Sequence, residues 1–172
     1  AGSTRVVVGQ GGGEASCTSC NSSTDSSIEE DANATTGSNH LDIWIARPFT
    51  IAATRCITGA WFTSFDSGNS SGATVEIYTD SAGSPGSIVG AGYTCTVANL
   101  ADASSDYEYL FASTQTLSAG TYWQVMKMPK NSYYRYGTVG DKVWKTSTNS
   151  GSSWSAEGTY TFRGGVLGCV PE

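Results

Sequence analysis

Short runs of alternating apolar and polar residues recur from Leu41 to Cys169, separated by clusters of Gly, Ser, Asn and Pro about every ten residues. A period of two buries one side of a chain only when the backbone is extended. No stretch carries the i, i+3, i+4 stripe of a helix. The runs are Leu41–Ile45, Arg55–Phe65, Ala73–Thr79, Ile88–Val97, Tyr107–Phe111, Thr121–Met128, Tyr133–Tyr136, Lys142–Thr146, Gly158–Arg163 and Val166–Cys169. Val75 and Ile77 fall on one face of their run and Glu76 and Tyr78 on the other, while the longer, mostly apolar Arg55–Phe65 suits a strand buried on both faces or bent by Gly59. The pattern predicts an all-β fold: an antiparallel β-sandwich of jelly-roll type with about ten short strands and no significant helix.

Composition narrows the class further. With 172 residues the chain suits one domain with a proper core. Charged residues make up 14% and aromatics 11%, the reverse of a disordered chain. A net charge of −6 argues against nucleic acid as a partner. No segment reaches the roughly 20 apolar residues of a membrane-spanning helix. The sequence opens on Ala-Gly-Ser, which reads as a mature N-terminus exposed by processing.

Five cysteines, Cys17, Cys20, Cys56, Cys95 and Cys169, accompany a single histidine. Cys17-x-x-Cys20 has no second ligand pair at zinc spacing and no βαβ context for redox chemistry, so no metal is expected. Disulfides outside the cytosol account for them best. Cys56 and Cys95, both on predicted strands, are expected to pair or to lie close in the core. A bridge from the Cys17/Cys20 region to Cys169 would fasten the tail to its own domain or to the next. Three sequons, at Asn21, Asn33 and Asn69, lie in Ser- and Gly-rich stretches and are candidate glycosylation sites. Together these features place the chain outside the cell or on its surface.

The N-terminus is set apart. Thr4, Arg5, Val6, Val7 and Val8 form a β-type run, and Gly9-Gln10-Gly11-Gly12-Gly13 follows. β-Branched valines favour an extended backbone, whereas Gly-rich sequence makes a flexible leash. Residues 10–40 are polar and rich in Gly, Ser, Thr and Asn, a long linker or a loop-like insert. The predicted organisation is therefore an N-terminal strand plus tether over 1–40 and a sandwich over 41–172. A strand on a leash can pair with its own domain or with a neighbouring molecule.

Two resemblances are visible. Val75-Glu-Ile-Tyr-Thr-Asp-Ser-Ala-Gly-Ser-Pro-Gly-Ser-Ile-Val89, followed by Leu117-Ser-Ala-Gly-Thr-Tyr-Trp123, resembles secreted jelly-roll domains of the choice-of-anchor type. That resemblance covers about residues 41–165 and implies a fold without an activity. Ser147-Thr-Asn-Ser-Gly-Ser-Ser-Trp154 resembles the Asp-box hairpin of sialidase propellers, with Asn149 at the acidic position. The motif is structural there. It implies a tight turn here, with Trp154 folded back under the hairpin.

Catalytic signatures are sparse. His40 reads as a loop residue, and neither a nucleophile elbow nor a P-loop is present. Glu76 and Glu108 could face each other as a glycosidase pair, but solvent-facing carboxylates are the simpler reading. Glu29-Glu30-Asp31, with Asp25 or Asn33, reads as a solvated acidic turn rather than a calcium loop. The sequence thus points away from an enzyme and calls for no cofactor. The layout of strand, hinge and sandwich is analogous to donor-strand filament subunits, which predicts self-assembly into a homopolymer. The alternative is a secreted carbohydrate-binding module, with Tyr133, Tyr134, Tyr136 and Trp144 as glycan-stacking candidates and Trp154 beside them.

Overall fold

A computed structural model of the chain describes residues 6–9, 26–31, 36–40, 43–66, 73–97, 105–128, 132–137, 143–159 and 161–169. Fifteen strands run through them: β1 (Val6–Gly9), β2 (Ser26–Asp31), β3 (Thr36–His40), β4 (Ile43–Ile51), β5 (Arg55–Asp66), β6 (Ala73–Asp80), β7 (Pro85–Ile88), β8 (Thr94–Val97), β9 (Ser105–Leu117), β10 (Gly120–Met128), β11 (Ser132–Gly137), β12 (Val143–Ser147), β13 (Ser155–Thr159), β14 (Thr161–Phe162) and β15 (Gly164–Cys169). Among the described residues the only helical turn is a 3-10 turn at Ala91–Tyr93. No helix there is long and apolar enough to cross a membrane. The fold is all-β, as the alternation predicts.

The strands form two sheets. The first contains eight strands in the order β1-β9-β5-β11-β14, with β15 also on β5, β2 on β15, and β3 on β11. The second contains seven in the order β13-β12-β4-β10-β6-β7, with β8 on β6. Every pairing is antiparallel except β1 on β9. One hydrophobic core joins the inner faces. Ala60, Phe62, Tyr107, Tyr109 and Val166 of the first sheet pack with Ile45, Phe49, Val75, Ile77, Met126 and Trp144 of the second. The phenyl ring of Phe62 stacks on Tyr109 at 4.8 Å. This arrangement is consistent with a sandwich.

Gly59 explains how the long β5 stays in the sheet. The register slips between Ile57 and Gly59 against β9, a bulge that adds twist. A Cβ on Gly59 would lie 2.4 Å from the Tyr109 carbonyl oxygen, so only glycine permits this approach.

Two expectations change. Residues 10–40 read as tether and loop, yet 26–31 and 36–40 are strands paired with β15 and β11. Strand pairing here rests on backbone hydrogen bonds, which polar side chains do not prevent. Ile88–Val97, expected as one extended run, is interrupted by the 3-10 turn.

Candidate assembly edge and aromatic face

β9 is the strand that receives the N-terminal run. Within the single chain Val6 lies opposite Tyr107, Val7 opposite Glu108, Val8 opposite Tyr109 and Gly9 opposite Leu110, all in parallel. Tyr107 and Tyr109 point into the core, so Asp106 and Glu108 point out of it. β9 is anchored independently of β1. Thr63 and Asp106 are cross-strand partners on β5 and β9, and the Thr63 hydroxyl donates to Asp106 Oδ1. Arg163 donates from Nη2 to Asp106 Oδ2 and from Nε to Thr63 Oγ1, both at 2.8 Å. The same guanidinium lies 5.8 Å from the Trp61 ring. A carboxylate this buried needs such a partner, and the network bolts β9 to β5 next to the start of β1.

The outer face of the second sheet carries an unexpected cluster. Trp44 and Ala46 of β4, Trp123 and Val125 of β10, Tyr78 of β6 and Trp154 pack together apart from the main core. The strand order β12-β4-β10-β6 assembles them. Val125 faces Ala46 on one side and Glu76 on the other, and Trp123 faces Pro48 and Tyr78. Charged groups complete the surface. Lys127 lies 4.2 Å from the Trp44 ring centroid and pairs with Glu76 at 2.8 Å. Glu76 also accepts from the Tyr78 hydroxyl at 3.0 Å. Burial first, and the Glu76 charge and hydrogen bond after it, hold the Tyr78 phenol well above its ordinary value. Trp123 donates its indole N–H to Asp80 at 2.7 Å, and Lys145 reaches over it to Ser84.

The Asp-box-like segment folds as the β12–β13 turn. Gly151 N–H donates to Ser147 Oγ and Ser153 N–H to Asn149 Oδ1, both at 2.9 Å. The Asn149 amide donates in turn to Ser153 Oγ at 2.7 Å. Asn therefore replaces an acidic residue without loss of the acceptor, and adds a donor. Ser150 and Gly151 have φ of 56° and 82°. Trp154 does fold back, but it lies half-buried on the outer cluster rather than enclosed beneath the hairpin.

The other site residues fall as follows. Trp144 is 3% exposed inside the main core, so it is not available for stacking on a glycan; its neighbour Val143 takes the outward position instead. Tyr133, Tyr134 and Tyr136 lie on β11, in the other sheet from the aromatic cluster, with their backbones paired to β3 and β5. Glu76 and Glu108 project from the outer faces of opposite sheets and are not brought together. His40 sits in β3 opposite Ser132, and Glu29–Asp31 lie in β2 rather than in a turn. Cys95 is a buried free thiol of the core, whereas Cys56 lies on the first sheet opposite Cys169, so the expected Cys56–Cys95 pair is not formed. Thr4, Arg5, Cys17, Cys20, Asn21, Asn33 and Asn69 lie outside the described residues. Sequence reasoning missed the Trp44–Trp123–Tyr78 face, although each of these residues alternates with core residues. No family model, curated protein or solved structure matches the chain.

Proposed function

We propose that this chain is a structural subunit of an extracellular filament, in which the N-terminal strand of one copy fills the β9 edge of the next. One observation carries the reading: Val6–Gly9 is a four-residue strand at the end of the sheet that, among the described residues, pairs with β9 alone, and Gly-rich sequence follows it. Exchanging such a strand between copies leaves every pairing intact, so the exchange costs little beyond the entropy of association. Without β1, residues 107–110 of β9 would present an unpaired edge, which folded proteins avoid. Glycosylation at the sequons and a surface location fit a fibre exposed to proteases. Deletion of residues 1–10 should abolish filaments in electron micrographs, and a synthetic peptide of those residues should cap the deleted protein as a monomer. Filaments formed by the deleted chain would refute the reading.

A second reading, a secreted carbohydrate-binding module, is favoured by one feature. Trp44, Tyr78 and Trp154 are half-buried on one outer face instead of disappearing into the core. Retention on insoluble polysaccharide, reduced by Trp154→Ala without loss of fold, would support it.

A further inference from the structure

Among the described residues two large apolar side chains, Ile88 and Val143, stand out into solvent, each 41% exposed. They belong to β7 and β12, with β6, β10 and β4 between them in the second sheet. The register nevertheless places them on one row. Ile88 is the partner of Tyr78, Tyr78 of Trp123 and Trp123 of Pro48. Continued two positions from Lys145 opposite Ala46, the β12–β4 ladder brings Val143 level with Pro48. Cross-strand partners share a face, and Tyr78 and Trp123 belong to the outer cluster. An apolar row therefore crosses the outer face at right angles to the strands, about 19 Å from end to end.

The row is narrow, and its borders are polar. Thr50 and Thr121 flank it on one side, Lys145 and Glu76 on the other. Two carboxylates, Glu76 and Asp80, accompany two ammonium groups, Lys127 and Lys145, so the charges on this face cancel. Glu76 pairs with Lys127 and accepts from Tyr78. Asp80 accepts from the Trp123 indole on Oδ1 and from the Gly83 N–H on Oδ2. Lys145 passes over Trp123 to Ser84 Oγ and so helps to bury the middle of the row while its ends stay open. An ammonium carries three donors, and this bond uses one of them. The result is a strip of rings and C–H groups edged by hydroxyls and N–H donors, without net charge.

A peptide strand does not suit such a strip. Strand addition needs a sheet edge, whereas β6, β10 and β4 are already paired on both sides. A second folded domain needs about 800 Å² of contact on each partner, far more than one row of side chains supplies. An extended sugar chain fits better, because its rings bring apolar C–H faces to the row and hydroxyls to the Lys and Thr borders. We propose that the row from Ile88 to Val143 binds a single chain of a neutral polysaccharide laid across the strands, with Lys145 donating to its oxygens. Such a site rests on the carbohydrate-binding reading and adds the ligand class and the direction of the chain. It is independent of strand exchange, which uses the other sheet.

Retention of the full chain on microcrystalline cellulose, chitin and insoluble mannan, set against alginate and polygalacturonate in affinity gels, tests the site. At least one neutral polymer should hold the protein, and neither polyuronate should. Ile88→Asp and Val143→Asp put a charge on exposed positions at either end of the row, where the fold tolerates it. Each should weaken retention by about tenfold with unchanged circular dichroism. Thr96→Asp adds the same charge on the same face but off the row, beside Thr74, and should bind as the parent does. Retention lost in Trp154→Ala but kept in both end variants would leave a carbohydrate-binding module and overturn the row as its site. An equal loss in Thr96→Asp would overturn it too, and preferential binding of polyuronates would overturn the neutral class. A parent chain held by none of the polymers would refute the row and the carbohydrate-binding reading together.

Discussion

Gly151 and Trp44 lie so close that a Cβ built on the glycine would sit 2.7 Å from Cζ3 of the indole ring. The contact joins the β12–β13 turn to the outer aromatic cluster, and it explains why the motif needs glycine there. With φ at 82°, the position also disfavours any L side chain. Gly151→Ala should destabilise the protein by about 2–3 kcal/mol, read as a lower denaturation midpoint. An unchanged midpoint would mean that the turn does not bear on the cluster.

The aromatic cluster predicts an order of costs. Trp123 is 3% exposed and donates to Asp80, whereas Trp154 is half-buried at the cluster's rim. Trp123→Ala should cost about 3–5 kcal/mol and Trp154→Ala about 1–2 kcal/mol. Urea melts of both variants test the ranking, and a reversed order would place the cluster's centre elsewhere.

How far the sequence could be read depended on whether burial left a trace in it. Alternation located β4, β6, β9 and β10 because each buries one face and its residues change character every second position. β2 and β3 left no such trace: apart from Ile28, Ser26–Asp31 and Thr36–His40 contain no large apolar residue, so no alternation marks them. Alternation also cannot say which parity faces the core. Trp144, a glycan-stacking candidate only if it faced outward, points in and Val143 points out. The aromatic face escaped notice for a different reason. Trp44, Tyr78, Trp123 and Trp154 are far apart in sequence, and only the order of strands in the sheet makes them neighbours.

Asp106 and Glu76 are carboxylates of similar burial with different partners. Asp106 accepts from both Arg163 and Thr63 and ties β9 to β5, whereas Glu76 pairs with Lys127 and keeps the Tyr78 hydroxyl when that lysine is removed. Asp106→Ala strands a partly buried guanidinium and should cost about 3–5 kcal/mol. Lys127→Met should cost less, about 1–2 kcal/mol. Chemical denaturation of the two variants checks this; equal losses would contradict the assignment of β9's anchor to Asp106.

Alkaline pH should unfold the protein through its tyrosines. Burial pushes the Tyr93 phenol up to about 12, and Tyr78 and Tyr109 are also raised, mainly by burial. In the unfolded chain these phenols ionise near pH 10. Their neutral forms therefore support the fold fully below about pH 10, and this support is lost as pH rises through about 12. Stability should be flat with respect to these groups at neutral pH and fall above about 10, with delayed phenolate absorbance appearing together with unfolding. Normal titration of Tyr78, Tyr93 and Tyr109 in the folded protein would contradict their burial.

The most direct test of strand exchange is a disulfide placed in the β1–β9 register. Val7 lies opposite Glu108, so Val7→Cys together with Glu108→Cys should form a bridge wherever the strand is inserted. Run beside the parent chain on a non-reducing gel, the double variant should give a ladder of multimers that collapses to one band on reduction. A single monomer band, with peptide mapping that joins residues 7 and 108 of one chain, would show that the strand completes its own sheet.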